Sequence, residues 1–342
     1  MGHKRLPEDK VIAILKGLFV ENKGCTQLAL EVLGRKSRES SIRHIKNVYE
    51  KYGNYFGVSL DGDDVVSQHQ IKNVKLPKIL VLDIETSTTL SEHFGTFKVN
   101  IGLDAIRRDW CVLSWAAKWW DCDEVEYMDI RKQFDGTAES ILREPDDKSL
   151  LTRMWELLNE ADIVVSQNGV KFDIRKLNSR MVMQGMKPYS PVKHIDTLLI
   201  AKKHFGFTSN KLSYMTDKLC KKYKKLDHSK FAGQKLWLEC IIGNSEAWDE
   251  LEEYNCYDVL SLQELAGILA PWSNSLPNLD LYHETQDNIC LCGNDTWEHA
   301  GFSYTGLSKF NVHKCTNCGY HKRDRVNLHN KEKMKTLRMN VA

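Results

Sequence analysis

The feature that most constrains this chain is the run Lys78-Ile79-Leu80-Val81-Leu82-Asp83-Ile84-Glu85, entered through Pro77. A near-continuous apolar stretch of this length suits a strand buried on both faces, which needs layers of other elements above and below it. It ends in acids. Side chains alternate along a strand, so Asp83 and Glu85 share a face and can reach one cation. Further strands are expected at 110–119 and 124–130, then an amphipathic helix whose apolar stripe is Leu150, Leu151, Met154, Leu157 and Leu158. Alternation follows: a strand at Ile163-Val164-Val165, a helix over 173–185, a strand at 194–196, and helices to about residue 268. Three strands followed by alternating helices and strands predict an α/β domain with a mixed sheet and flanking helices, placed at 77–275.

Two more elements carry chemistry. Asn168-Gly169-Val170-Lys171-Phe172-Asp173 follows the strand at 163–165; its glycine permits a tight strand-to-helix turn, and Asp173 falls in the first helical turn. In the helical stretch Tyr254-Asn255-Cys256-Tyr257-Asp258, Tyr254 and Asp258 are four apart and share a helix face. Each element alone is ordinary: a solvated strand end, a helix start, a helix pair facing water. Together, in this order, they resemble the DEDD family of 3′–5′ exonucleases. Asp83 and Glu85 match its Asp-x-Glu, and Asn168, Phe172 and Asp173 match its Asn-x-x-x-Phe-Asp. Asp258 is preceded at four residues by Tyr254, while position 253 is Glu, so the likeness is to the tyrosine subclass (DEDDy). It spans about 77–268. The run Pro77 to Trp272 also resembles ribonuclease H-like proteins of tailed phages, through Leu113-Ser114-Trp115-Ala116-Ala117-Lys118-Trp119, Ala201-Lys202-Lys203-His204-Phe205 and Ser209-Asn210-Lys211-Leu212, which implies a viral origin.

The resemblance implies a ribonuclease H-like fold and metal-dependent phosphodiester hydrolysis. Asp83, Glu85, Asp173 and Asp258 would hold two Mg²⁺ or Mn²⁺ ions, for which hard oxygen donors are the suitable ligands. Asp83 would bridge, Tyr254 would orient the attacking water, and Asn168 and Phe172 would hold the terminal nucleotides. Asp196 reads as a plain strand-end aspartate, with support of the site from behind as the alternative; the adjacent Trp119 and Trp120 read as packing residues, although only one can join a given core and the other could stack on a base. The expected substrate is single-stranded or fraying DNA, favoured over RNA. The alternatives are an exoribonuclease, a structure-specific endonuclease of the same fold, and a non-catalytic nucleic-acid-binding regulator. Intact carboxylates weigh against the last, and Tyr254 against the endonuclease.

Charge is segregated around this domain. Residues 1–55 carry eleven Lys/Arg against six Asp/Glu, a net +5, and residues 308–342 carry nine against two, a net +7; the whole chain is +2, so the stretch between is −10. Basic ends around an acidic centre suit phosphate-binding arms beside a cation site. At 1–55, apolar residues at helical spacing (Val11, Ile14, Leu15, Leu18, Phe19), a second run stopped by Gly34, and a basic third run resemble a helix-turn-helix. Arg35, Lys36, Arg38, Arg43 and Lys46 would then contact nucleic acid, although a packing or partner-recruiting bundle has the same outline. Residues 56–76 read as a polar linker.

Six of ten cysteines (Cys25, Cys111, Cys122, Cys220, Cys240, Cys256) are scattered and read as reduced. The others form Cys290-x-Cys292-Gly293 and, 22 residues later, Cys315-x-x-Cys318-Gly319, resembling a zinc ribbon at 280–325 that holds one structural Zn²⁺. The first pair is one residue short of the usual knuckle, which leaves His283 or His299 as an alternative to Cys290. A basic tail at 326–342 follows. The N-terminus lacks the apolar core of a secretory signal and no stretch approaches a membrane span, so the chain reads as cytoplasmic, in a host cell if viral.

Overall fold

The computed structural model describes residues 77–339 except 96, 227–229 and 283–287, together with residues 10, 13, 14 and 32, which are helical. The expectations for the linker, for Arg35, Lys36, Arg38, Arg43 and Lys46, and for His283 lie outside the described residues. The chain divides into two units, Pro77–Leu269 and the remainder.

The central unit is built on β1 (Ile79–Thr86), whose Ile79, Leu80, Val81, Leu82 and Ile84 are all buried. On one side β1 pairs antiparallel with β4 (Val112–Trp119), which pairs antiparallel with β5 (Glu126–Asp129). On the other side β1 runs parallel to β6 (Ile163–Ser166), and β6 parallel to β7 (Lys193–Asp196). The order is β5-β4-β1-β6-β7, a mixed sheet with β1 at its centre, as a strand buried on both faces requires. A short hairpin, β2 (Leu90–Ser91) with β3 (Ile106–Arg108), stands apart from it.

Parallel neighbours need crossovers, and helices supply them. After α1 (Ala138–Leu142), α2 (Lys148–Glu160) joins β5 to β6 and buries its expected stripe of Leu150, Leu151, Met154, Leu157 and Leu158. The helix α3 (Asp173–Met183) joins β6 to β7. It stops two residues before the expected end because Gly185, at φ 70°, closes it: Gly185 N–H donates to the Val182 carbonyl and Met186 N–H to that of Met181, both at 3.0 Å. Then come α4 (Thr197–His204), α5 (Leu212–Leu219), α6 (Lys235–Ile241) and the 25-residue α7 (Ser245–Leu269), which packs on β1 and β4.

The strand expected from Trp110 begins only at Val112. Side chains take the preceding N–H groups: Ser87 Oγ accepts from Cys111 at 3.0 Å and Asp147 Oδ2 from Val112 at 3.1 Å. Asp147 also receives a two-pronged hydrogen bond from the Arg180 guanidinium, at 2.7 and 2.8 Å, and both residues are buried. This pair ties α3 to the start of α2. Trp119 packs against the core as expected, and Trp115 is fully buried with its indole N–H on the Leu150 carbonyl at 3.0 Å. Burial pushes the thiols of Cys111 and Cys256 up to about 11 and those of Cys220 and Cys240 up to about 12, so these cysteines are poor nucleophiles.

Described by itself, the C-terminal part of the second unit (residues 270–342, the C-terminal unit) contains an antiparallel sheet of β8 (Trp297–Tyr304), β9 (Lys309–Cys315) and β10 (His321–Arg323), in the order β10-β9-β8. A short helix, α8 (Lys331–Thr336), is capped by Asn330, which accepts the Lys333 N–H at 2.8 Å. Among the described residues from Leu279 onwards, the buried hydrophobic side chains are Leu279, Ile289, Cys290, Phe310 and Cys315, a very small core. Among the described residues no helix is long and apolar enough to cross a membrane.

Candidate active site

At the C-terminal end of β1, Asp83 and Glu85 point to the side covered by α7. Their cross-strand partners on β4 are small, Ala116 for Asp83 and Ser114 for Glu85, which leaves room above the sheet. From α7, Asp258 and Tyr254 approach one turn apart, and both are buried. Oxygens of Asp83, Glu85 and Asp258 all lie within 4.8 Å of one another. Asn255, between Tyr254 and Asp258 in sequence, donates to Asp83 Oδ2 at 2.7 Å and accepts from Ser114 Oγ at 3.1 Å, locking strand to helix behind the carboxylates.

Asp173 arrives from a different layer. Past the last parallel pair, Val81 with Val165, the β1 backbone loses its β6 partner, and Asp173 Oδ1 accepts the Ile84 N–H at 3.2 Å. The turn that delivers it depends on Asn168 and Gly169. Asn168 adopts a left-handed φ of 64°, and a Cβ on Gly169 would meet Ser166 Oγ at 2.1 Å, so only glycine fits. Phe172 is 39% exposed beside this turn, and Lys176 lies 3.5 Å from the centroid of the Trp110 ring.

Asp196 is more than a strand end. Its Oδ1 caps α4 by accepting from Leu198 and Leu199, and the same atom accepts the Asn168 N–H at 3.0 Å. Its Oδ2 accepts from Val170 at 3.3 Å. One buried carboxylate thus fixes both a helix start and the turn carrying Asn168.

Two contributors to the site had no motif to betray them. Trp237 on α6 donates its indole N–H to Glu85 Oε2 at 2.8 Å and meets the Tyr254 ring edge-on at 6.1 Å. Lys225, in the segment before α6, forms an ion pair with Asp258 and sits 4.1 Å from the Tyr254 ring centroid. A lysine in the run Lys221-Lys222-Tyr223-Lys224-Lys225 reads as one surface cation among many, so no pattern singles it out.

The electrostatics follow from crowding. Burial, then the Asp258, Asp173 and Glu85 carboxylates, hold Asp83 well above the usual carboxylate range. Burial and Asp258 push Glu85 up to about 8, and burial chiefly pushes Asp173 up to about 7. Burial works against the charge on Lys225, but Asp258, Tyr254 and Asp83 outweigh it and keep the ammonium above its ordinary range. Burial and Asp258 likewise raise the Tyr254 phenol, which stays protonated at neutral pH. Hard oxygen donors that resist ionising together, with one lysine as partial counter-charge, fit a divalent cation by the chemistry of the donor set.

The second cluster lies in the C-terminal unit. Cys290, Cys292, Cys315 and Cys318 bring their sulfurs within 4.8 Å of one another. Cys290 lies 3.4 Å from Cys318, and Cys292 lies 3.6 Å from Cys315. A tetrahedral thiolate site with bonds of about 2.3 Å has edges of about 3.8 Å, close to these separations. The short first spacing therefore does not exclude Cys290 from the group, whereas His299 sits on β8 against His313 and Phe302 and is no part of it. A hydrogen bond from Cys290 holds the Cys292 thiol far below its usual range, to about 4.

Comparison with known proteins bears on part of the central unit. Residues 127–270 match the family model described as the RNase_H superfamily, so a ribonuclease H-like domain occupies this part of the chain. The match includes Asn168, Asp173, Tyr254 and Asp258 and begins after Asp83 and Glu85. A protein named DNA polymerase III PolC-type, from Ureaplasma parvum serovar 3, is 26% identical over 168 residues, which is 47% of this chain and 11% of that protein. The family B DNA polymerase from the hyperthermophilic archaeon Pyrobaculum calidifontis aligns with TM-score 0.40 at 14% identity, over 60% of this chain and 27% of that one. The chain thus spans about a tenth and about a quarter of the length of these two polymerases.

Proposed function

We propose that the site formed by Asp83, Glu85, Asp173, Tyr254 and Asp258 hydrolyses phosphodiesters as a metal-dependent 3′–5′ exonuclease, with single-stranded or fraying DNA as substrate. One observation carries this reading: three carboxylates from a strand end and a helix converge to within 4.8 Å, and burial and crowding raise the proton affinity of Asp83 and Glu85, as suits groups that share a cation. The ribonuclease H-like domain supports the reaction class, and the likeness to a protein named as a DNA polymerase supports DNA as the polymer.

Asp83, Glu85, Asp173 and Asp258 would hold Mg²⁺ or Mn²⁺. Divalent ions bound there would activate water and neutralise charge at the leaving oxygen. The chain's own residues do the rest. Tyr254, neutral and held between Trp237 and Lys225, is placed to orient a water beside the carboxylates. Trp237 and Asn255 fix the orientations of Glu85 and Asp83, so these groups need not reorganise when substrate arrives. The half-exposed Phe172 offers a ring on which a terminal base would stack, and Asn168, in the left-handed region four residues before it, would contribute a hydrogen bond. In the C-terminal unit, Cys290, Cys292, Cys315 and Cys318 would hold one structural Zn²⁺.

The experiment is incubation of the purified protein with 5′-labelled DNA and RNA, with Mn²⁺ or EDTA. A ladder shortening from the 3′ end of single-stranded DNA, lost with EDTA, is expected. A discrete internal fragment would make it an endonuclease, a ladder on RNA alone an exoribonuclease, and intact polymer with a gel shift a binding protein.

A further inference from the structure

The C-terminal sheet has two unlike faces. Phe310 is buried with Arg323 over its ring at 4.1 Å, while Phe302 and Tyr304 are 45% and 67% exposed. The exposed rings are not scattered. Phe302 and Tyr304 are two apart on β8 and share a face. Across from them on β9 are Asn311, opposite Phe302, and Lys309, opposite Tyr304. The Lys309 ammonium lies 3.7 Å from the Phe302 ring centroid and 5.8 Å from that of Tyr304.

A bulge extends the row. His299 pairs with His313 and Phe302 with Asn311, so β8 spends three residues where β9 spends two. In a regular strand, residues 299 and 302 would face opposite ways. The inserted residue, accommodated by Gly301 at φ 90°, turns them to the same face, where their rings lie 5.4 Å apart. His313 follows at 6.2 Å from His299. The face is therefore a row of rings from Tyr304 through Phe302 and His299 to His313. Asp324 stands at its margin, bound by Asn311 at 3.1 Å and His313 at 3.0 Å.

We infer that this face is a binding platform for single-stranded nucleic acid, with unpaired bases stacking on Phe302 and Tyr304 and Lys309 meeting the backbone phosphates. Charge decides between occupants. Residues 288–339 carry nine Lys/Arg against Asp295, Glu298, Asp324 and Glu332, a net +5. An apolar protein surface laid on this row would strip water from the Lys309 ammonium and offer it no anion, which is costly. A polyanion with aromatic bases satisfies ring and ammonium together. A duplex does not, because its bases are already stacked. The inference concerns binding and goes beyond the hydrolytic reading, so either can fail without the other.

The test uses the full chain carrying Asp83→Asn, so that a bound strand is not cut. Affinity for a fluorescent oligothymidylate is measured by anisotropy at several salt concentrations, beside a blunt duplex of equal length. Phe302→Ala with Tyr304→Ala should weaken binding to the single strand about tenfold or more and leave the duplex nearly unchanged. Phe302→Trp with Tyr304→Trp should retain affinity. Lys309→Ala should lower the salt slope by about 0.7, the value for one phosphate contact on a single strand. Zinc content equal to that of the parent shows that each variant keeps its module. Unchanged affinity in the alanine pair, with zinc retained, overturns the proposal and leaves the face to a protein partner. An equal loss on the duplex overturns it as well.

Discussion

Two clusters in this protein face the same electrostatic problem and solve it differently. Asp83, Glu85 and Asp258 crowd negative charge in a unit with a large core of its own, built on β1, β4, α2 and α7. Cys290, Cys292, Cys315 and Cys318 gather where buried hydrophobic side chains are few, and two of them, Cys290 and Cys315, are themselves part of that core. In the first case a cation would be an addition to a finished fold. In the second it would be the fold's centre. Donor chemistry follows: hard oxygens suit exchangeable Mg²⁺ or Mn²⁺, and soft thiolates suit tightly held zinc.

The largest effect should come from breaking the thiol cluster. Cys315→Ser with Cys318→Ser should abolish zinc binding, worth on the order of 10 kcal/mol to such a module, and unfold β8–β10. Metal analysis and hydrogen exchange would show zinc near one per chain falling to none, with protection lost in 297–323 and kept in 79–86 and 112–119. Zinc absent from the parent protein would erase the contrast between the clusters.

Breaking the carboxylate cluster should do the reverse. Asp83→Ala or Asp258→Ala should lower hydrolysis about a thousandfold or more while the central unit stays folded, since removing one charge relieves its neighbours. Tyr254→Phe, which deletes a hydroxyl and no carboxylate, should cost about a hundredfold. Substantial cleavage by both Asp variants would move the active site elsewhere.

The smallest effect is a pH dependence that sharpens the comparison. Glu85 and Asp173, raised to about 8 and about 7, keep protons in the folded state that the unfolded chain has already released. Folded stability therefore falls as pH rises from about 4.5 to about 8 in protein freed of exchangeable metal. Thermal midpoints between pH 5 and 8 should show this decline, with Glu85→Gln flattening it and added Mn²⁺ reversing it. A slope equal in the parent and Glu85→Gln would mean that Glu85 is already ionised and otherwise stabilised.

Much of this was written locally. The apolar run at 79–84 predicts a central strand, and the period of Leu150, Leu151, Met154, Leu157 and Leu158 predicts a helix with one buried face; both are found, because periodicity is a local consequence of which face meets the core. Asp83 and Glu85, or Tyr254 and Asp258, share a face by spacing alone. What no spacing could give is the meeting of strand end with helix across more than 170 residues, since that depends on how the layers stack. Lys225 and Trp237 belong to the site only because α6 and the loop before it fold back over α7, and their neighbours in sequence carry no trace of it. Asp196 looked like a strand end and is one, yet its four N–H donors come from two segments that only the sheet order brings together. The facing of Phe302 was likewise not written in its spacing. An apolar ring in a strand points inward or outward according to register, and a single bulged residue at Gly301 decided that it faces outward beside His299.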